Sequence, residues 1–319
     1  MLRVRVYDTS TGTPRVLDGD ESLISHPGPK WIDVLEADEA VLNRLAEKYG
    51  LHKLAIEDCL HLDQRPKLEA YGNHQFLVLQ GFSTPTAKWS DLTMHELHFF
   101  LGQDWLITVH DKAHEAIEVV HKRIETDPAA TMGRGVDFVT YLLADALVDR
   151  NFPLLDCFNE ALEDLEERIF AAFPPRSMLQ ETFQLKRALV LVRRVLSPQR
   201  DVVGLLARGG VPQISEKTTI YLRDVYDHLV RIYEQIDAAR DLVGNAVDAY
   251  LTQVANRTSD ISKQLTIFAS IFLPLSFIVG FFGQNFDVLG QPHFFWAMLT
   301  SMVAIPITMV FWFRHKGWF

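Results

Sequence analysis

Cysteine is scarce in this chain: two occur among 319 residues, Cys59 and Cys157. Neither belongs to a CxxC pair or a His/Cys cluster, so no disulfide scaffold or thiolate metal site is indicated and both read as reduced, structural thiols. A basic surplus is missing as well. Lys and Arg number 31 against 41 Asp and Glu, giving a formal charge of −10. General nucleic-acid binding needs a basic surface to displace counterions, and this balance argues against it. An acidic surface suits cations, though it is equally an ordinary solubility device. No Gly-rich phosphate loop follows a strand-like run, and no nucleophile elbow or HExxH pair occurs, so an enzymatic reading has no motif to stand on. The carboxylates between Asp145 and Glu167 fall at helical spacing and read as a solvated face. Met1–Tyr7 alternates charged and apolar residues without the apolar core of a cleavable signal, so most of the chain is expected to stay where it is made.

What is present divides unevenly. Charged residues lie almost entirely before Leu265 and apolar ones concentrate after it, the pattern of a soluble body on a membrane foot. In residues 1–112, the short apolar runs Arg3–Tyr7, Trp31–Val34, Phe76–Phe82, Glu96–Leu101 and Trp105–His110 read as strands. Glu39–Tyr49 and Lys53–Leu60 carry apolar residues at helical spacing, so sheet and helices are expected to layer into an α/β unit. Residues 113–212 read as helical: an amphipathic run at 113–125, one long helix from Val136 to Phe173 ended by Pro174-Pro175, and another from Arg176 to Arg208 closed by Gly209-Gly210.

From Val225 the apolar positions Val225, Leu229, Ile232, Ile236, Ala239, Val243, Ala246 and Tyr250 step alternately by four and three. That 3.5-residue period is a coiled-coil seam, facing either a neighbouring copy or helices of the same chain. No proline interrupts residues 213–273, so residues 213–264 are expected to form the stalk of one helix that runs on into a membrane, roughly 100 Å at 1.5 Å per residue.

Residues 265–319 then form a transmembrane hairpin. Leu265–Phe282 and Phe294–Phe313 are apolar apart from hydroxyls, each long enough for a ~30 Å hydrocarbon core. Lys263 precedes the first span and Arg314 and Lys316 follow the second, whereas the loop Gly283–His293 has Asp287 as its one fixed charge. Both termini are therefore expected on the cytosolic side and the loop outside. Two helices cannot enclose a hydrated pore, so conduction would require a closed ring of copies. Along the first span Ser262, Leu265, Ala269, Leu273, Ser276 and Gly280 share one face of small, hydroxyl and aliphatic side chains. Without a carboxylate, that face suits an ion that keeps its water, as Mg2+ does; small residues on a membrane helix also serve as packing surfaces.

Gly283-Gln284-Asn285-Phe286 resembles the Gly-Met-Asn signature of CorA-type transporters, and Asn256-Arg257-Thr258 through Lys263-Gln264-Leu265-Thr266 to Phe272-Leu273-Pro274-Leu275 resembles that family's pore helix. Trp31-Ile32-Asp33, Leu51-His52, Glu57-Asp58 and Gln64-Arg65-Pro66-Lys67-Leu68-Glu69 are similar to its soluble-domain pattern. Lys186-Arg187, Arg193-Arg194 and Pro198 fit its middle helices, so the match runs in order over about residues 31–316. The resemblance implies an α+β membrane protein with an N-terminal α/β cytosolic domain, a long helical stalk and two C-terminal transmembrane helices in the cell's inner membrane. It further implies a homopentamer with a funnel-shaped cytosolic part, conducting Mg2+, and possible companions Co2+ and Ni2+, under the membrane potential. In that scheme Gly283, Gln284 and Asn285 form the filter, with Asn285 binding the hydrated cation. Ser276 is an inner polar ring, and Leu265 and Leu273 are apolar constrictions that gate by excluding water. Asn285 is also compatible with an ordinary helix C-cap. Asp224 matches the position of regulatory Mg2+ between subunits, with Asp91 of a neighbour as its expected partner.

The chain departs from the pattern at Gln284, where the family has Met, and in a loop whose one acid, Asp287, thins the external charge. Ser262 replaces a bulky Met. The architecture is shared by the ZntB branch, so a proton-coupled Zn2+ transporter is the alternative, and a membrane-anchored, non-conducting sensor the second. His95, His98, His293 and His315 form no recognised zinc spacing and read as structural or surface residues. Trp296, Trp312 and Trp318 read as interfacial anchors.

Overall fold

The computed structural model describes residues 1–10, 14–61, 63–86, 88–169, 177–284 and 291–318. Two compact units result, Met1–Ala246 and Val247–Phe319.

The first unit is built on a seven-stranded sheet of order β2-β1-β3-β7-β6-β5-β4. Its strands are β1 (Leu2–Asp8), β2 (Arg15–Gly19), β3 (Lys30–Leu35), β4 (Lys67–Ala70), β5 (Gln75–Ser83), β6 (Thr93–Leu101) and β7 (Trp105–His110). β3 and β7 pair in parallel, and every other neighbouring pair is antiparallel. The five expected strands are present. The two unforeseen ones, β2 and β4, are the short, polar edges of the sheet, where one neighbour suffices and apolar alternation has nothing to bury.

Helices α1 (Glu39–Tyr49) and α2 (Lys53–Leu60) cover one face, packing Leu42, Leu45, Ala55 and Ile56 on Val4, Ile32, Phe76, Phe100 and Ile107. On the other face lie α3 (Glu115–Thr126), α4 (Val136–Asp149), α5 (Asn151–Ile169) and α6 (Met178–Ala207), whose apolar side chains share a core with Trp31, Leu77, Leu79, Phe99 and Leu106. With both faces covered, β5 is buried at eight consecutive residues, Gln75–Phe82, and has no polar alternation to show.

The single helix expected from Val136 is in fact two, α4 and α5, parted at Arg150. Pro153 explains the break: its ring conflicts with the carbonyl four residues back, that of Asp149. The carbonyl of Val148 is taken instead by Asn151 Nδ2 at 2.9 Å. The expected stop at Pro174-Pro175 lies outside the described residues. Gly209 and Gly210, at φ +80° and +91°, close α6 as expected.

The last helix of this unit, α7 (Glu216–Phe282), continues into the second. Its seam faces inward: Val225, Leu229, Ile232, Ile236 and Val243 are fully buried in the core shared with α4 to α6. Of the two openings left by the 3.5-residue period, packing within the chain is the one realised up to Ala246. The segments read separately as 1–112, 113–212 and the start of 213–264 thus share one core.

A buried polar network crosses the sheet beneath α3. Asp33 on β3 accepts from Thr108 Oγ1 at 2.5 Å and His110 Nε2 at 3.1 Å, and His121 Nε2 stands 3.4 Å away. Trp31 stacks on His121 with 4.1 Å between ring centres and donates to Thr108 at 2.9 Å. Arg5, 1% exposed, donates to the His121 carbonyl at 2.7 Å and pairs with Asp18 and Glu125. Burial alone would push the Asp33 carboxyl up; the hydrogen bonds from His110, His121 and Thr108 outweigh it and hold the carboxyl well below its usual range. Burial opposes charge on His110 as well, and Asp33 reverses that, so His110 titrates above its ordinary value.

In the second unit the end of α7 is joined by α8 (Pro292–His315). In the most apolar 18-residue stretch of α7 only 6% of residues are buried, and in that of α8 none. A core hairpin of a soluble protein would bury them, so these two helices have the surface of membrane spans.

Candidate functional site

Two places gather candidate residues, one on each unit. On the second unit, α7 shows two unlike faces. Ser262, Leu265, Ala269, Leu273, Ser276 and Gly280 are all exposed, Leu265 at 65% and Leu273 at 76%. Ile267 is buried, and Ser270, Ile271, Pro274, Leu275 and Ile278 are partly shielded. At 100° per residue the two sets centre roughly 170° apart. Since α8 is the other helix of this unit, the shielded stripe is the side turned to it, and the small, hydroxyl and aliphatic stripe, like the exposed Phe268, Phe272 and Phe277, is left without a packing partner among the described residues. These large aliphatic side chains interleaved with Ser262, Ser276 and Gly280 form a surface that is neither purely lipid-like nor charged.

The end of α7 is shaped by close approach. Gly283 N donates to the Val279 carbonyl at 2.9 Å, and a Cβ on Gly283 would stand 2.9 Å from that same oxygen, a backbone atom that cannot move aside. Gln284 turns back, its backbone N–H on the Phe281 carbonyl at 3.3 Å and its Nε2 on that of Gly280 at 3.5 Å. Asn285 and Asp287 lie outside the described residues.

On the first unit, α4 and α7 bring together an acidic cluster. Asp145 and Asp149 are one turn apart on α4; Asp224 and His228 are one turn apart on α7. Ligand atoms of Asp145, Asp149 and His228 all lie within 4.8 Å of one another. His228 Nδ1 is 3.3 Å from Asp149 Oδ1, close enough for an ion pair but off hydrogen-bond geometry, and Nε2 is 4.0 Å from Asp224 Oδ2. Burial and then the Asp149 charge push the Asp145 carboxyl above its ordinary value. The Tyr141 hydroxyl, itself pushed up to about 12 by burial and then by Asp145, donates to that carboxylate at 3.4 Å. Three carboxylates around one imidazole leave unbalanced negative charge that a divalent cation relieves. The oxygen donors fit Mg2+, and the single nitrogen also admits a transition ion.

Asp145 is half-buried and stands in a cluster with His228 of α7, so it departs from the solvated face expected of this run, whereas Asp149 stays exposed as that reading has it. The signal was available as two i,i+4 pairs of potential ligands on separate helices, the arrangement by which bundles build metal sites. Asp224 lies at the edge of this cluster, 4.0 Å from His228 Nε2, a neighbourhood the sequence reading did not foresee. Asp91 lies elsewhere, exposed at the end of a single 3-10 turn, Trp89–Asp91, where it accepts from Thr86 and, at 3.3 Å, from Ser90. Among the described residues no hydrogen bond or ion pair joins Asp91 to Asp224 within the chain.

The family described as CorA-like Mg2+ transporter protein matches residues 27–315. The cobalt/magnesium transport protein CorA of Thermotoga maritima is 35% identical over 294 residues, covering 91% of this chain and 83% of the relative. The zinc transport protein ZntB of Cronobacter sakazakii is 24% identical over 305 residues, covering 93% of this chain and 90% of the relative. Among solved structures, the complete CorA magnesium transporter of Methanocaldococcus jannaschii superposes with a TM-score of 0.85 at 23% identity, covering 100% of this chain and 99% of that one. At that identity the superposition speaks for the fold.

Proposed function

The chain belongs to the CorA-like Mg2+ transporter family, a family of divalent-cation transporters and not of enzymes, and from that premise we propose that it carries Mg2+ inward through a homopentameric pore. The observation that carries this reading is the unpartnered stripe on α7. A face of Ser262, Leu265, Ala269, Leu273, Ser276 and Gly280, turned away from the helix it pairs with, is what each subunit must present if five copies are to line one channel. In that ring Leu265 and Leu273 form apolar constrictions, and Ser276 a polar ring between the filter and the gate. The filter is Gly283, Gln284 and Asn285, with Asn285 meeting the hydrated ion and Asp287 supplying negative charge at the mouth.

Both termini lie on the cytosolic side of the cell membrane in this proposal, so the potential drives influx. Moving a divalent ion through the whole field releases about 4.6 kcal/mol per 100 mV, twice the single-charge value. Cytosolic Mg2+ regulates the pore at the α4–α7 cluster. Bound there, with Asp224 and a neighbour's Asp91 beside it, the cation offsets the repulsion among Asp145, Asp149 and Asp224 and favours the closed ring; as Mg2+ falls the repulsion returns and the ring loosens. One helix, α7, carries both His228 and the proposed pore stripe.

Proton-coupled Zn2+ transport is the second reading, favoured by the similarity to a zinc transport protein over nine-tenths of the chain. The test is flux into liposomes holding a Mg2+ dye under an inside-negative potential. Mg2+ influx that disappears in Asn285→Ala supports the channel and its filter. Zn2+ flux that follows a proton gradient without Mg2+ flux replaces it by the zinc reading, and no flux of either ion leaves an anchored sensor.

A further inference from the structure

On the second unit, α8 carries a groove of about 400 Å3 lined by Pro306, Ile307, Val310, Phe311 and Arg314. Helix geometry makes it. Pro306, Val310 and Arg314 form one i,i+4 row and Ile307 and Phe311 the next, and the groove is the furrow between two such rows. From Pro306 to Arg314 it runs roughly 12 Å at 1.5 Å per residue. Apart from Arg314 its lining is apolar, with Ile307 64% and Phe311 76% exposed.

The groove looks away from α7. Met298, Ser301, Met302, Ile305, Met309 and Phe313 are shielded, and Ile307, Val310, Phe311 and Arg314 centre roughly 160° from them at 100° per residue. In the ring proposed above, the stripe on α7 faces the axis and α8 stands behind it, so this far side of α8 meets the acyl chains of the bilayer. The inference rests on that reading.

Arg314, at the end of the groove, says what fills it. The last turn of α8 is closed by its own backbone: the Lys316 N–H donates to the Trp312 carbonyl at 3.0 Å, Gly317 to Arg314 at 3.2 Å and Trp318 to Phe313 at 3.1 Å. Gly317, at φ +70°, permits this turn, and the Trp318 ring folds back on Phe313 with 5.2 Å between ring centres. The guanidinium is therefore not needed as a cap, and it has no hydrogen bond or ion pair among the described residues. No Asp or Glu follows Asp287 in the chain, and Asp260, the acid nearest the start of the α7 span, is engaged by Lys263 at 3.3 Å. A planar guanidinium fork matches the oxygens of a phosphodiester, and at the end of a membrane span the phosphodiesters are those of lipid headgroups. A zwitterionic headgroup brings an ammonium that repels Arg314 and the neighbouring Lys316; an anionic one does not. We propose that this groove seats an anionic phospholipid of the leaflet in which α8 ends, its phosphate on Arg314 and one acyl chain along Pro306, Ile307, Val310 and Phe311.

The test titrates phosphatidylglycerol or phosphatidylcholine into purified, detergent-solubilised full-length protein and counts retained lipid by native mass spectrometry. Wild type is expected to retain one phosphatidylglycerol per chain and to bind it about fivefold more tightly than phosphatidylcholine, which is what one basic residue contributes at a membrane surface. Arg314→Gln is expected to lose that preference. Ile307→Trp fills the groove from an exposed position and is expected to retain neither lipid, whereas Phe295→Trp, exposed near the other end of α8, binds as wild type does. Equal affinity of wild type for the two lipids, or an unchanged preference in Arg314→Gln, overturns the headgroup contact. Retention by Ile307→Trp at the wild-type level, or an equal loss in Phe295→Trp, overturns the groove. The same spectra give the subunit number and no flux is required, so failure of the ring or of transport is read separately from failure of the lipid site.

Discussion

Replacing Asp149 by Asn separates the charge of the α4–α7 cluster from its shape. Without divalent cation, Asp149 is one of two like charges a turn apart on α4, and relieving an exposed i,i+4 repulsion is worth about 0.2–0.5 kcal/mol. With Asp149 half-exposed (52%), the lower end of that range applies, and the variant is expected to be as stable as wild type or slightly more so. Saturating Mg2+ reverses the order. A ligand at a hundred times its dissociation constant stabilises the folded state by about 2.7 kcal/mol. For a soluble unit of this size each kcal/mol moves the melting point by about 2–4 °C, so wild type gains roughly 5–10 °C. Asp149→Asn, having lost one of three converging ligands, gains a small fraction of that. The assay is the melting curve of purified full-length protein with and without Mg2+, read by tryptophan fluorescence. An equal Mg2+-induced rise in both proteins would refute the assignment of this cluster as a Mg2+ site.

Stability should also carry the signature of the Asp33–His110 pair. His110 is raised in the folded state, so its contribution is complete below the ordinary histidine value of about 6.5 and is lost as pH rises through the raised value. Asp33 is lowered, so its contribution is present above about 3.8 and is lost only as pH falls through its own depressed value. The pair therefore supports the sheet most between about pH 4 and 6.5; in Asp33→Asn the melting point is expected to fall, with about 3–5 kcal/mol lost, and its decline above pH 6.5 to flatten, whereas an unaltered slope would remove His110 from the account. Ile236→Ala, at a fully buried seam position, is expected to cost about 2–5 kcal/mol while leaving subunit number in native mass spectrometry unchanged. Dissociated subunits with an unchanged melting point would return the seam to the interface between copies.

Much of this protein could be read from order and period alone. The two spans announce themselves because a membrane helix must be apolar all round for about 20 residues, a property local to the chain. The face Ser262 to Gly280 follows from helical spacing, and the five central strands from their apolar runs. The edges β2 and β4 could not be read in the same way, because an edge strand needs neither apolar face nor alternation. The break between α4 and α5 was hidden because the apolar pattern runs through it, although Pro153 marked it.

Period fixes which face of a helix is apolar; it cannot say what covers that face. The same 3.5-residue seam serves a neighbouring copy or the chain's own helices, and only the packing of α4 to α6 decided for the latter as far as Ala246. Convergence is likewise a tertiary property. Asp145 and His228 meet because α4 and α7 pack side by side, and Asp33 meets Thr108 and His110 because β3 and β7 pair in parallel register. What the sequence by itself determined was thus each element's own character, which nearest-neighbour stereochemistry and local hydropathy dictate. Which distant polar groups share a site was decided by the sheet order and helix packing, since only those bring together charges that lie tens of residues apart.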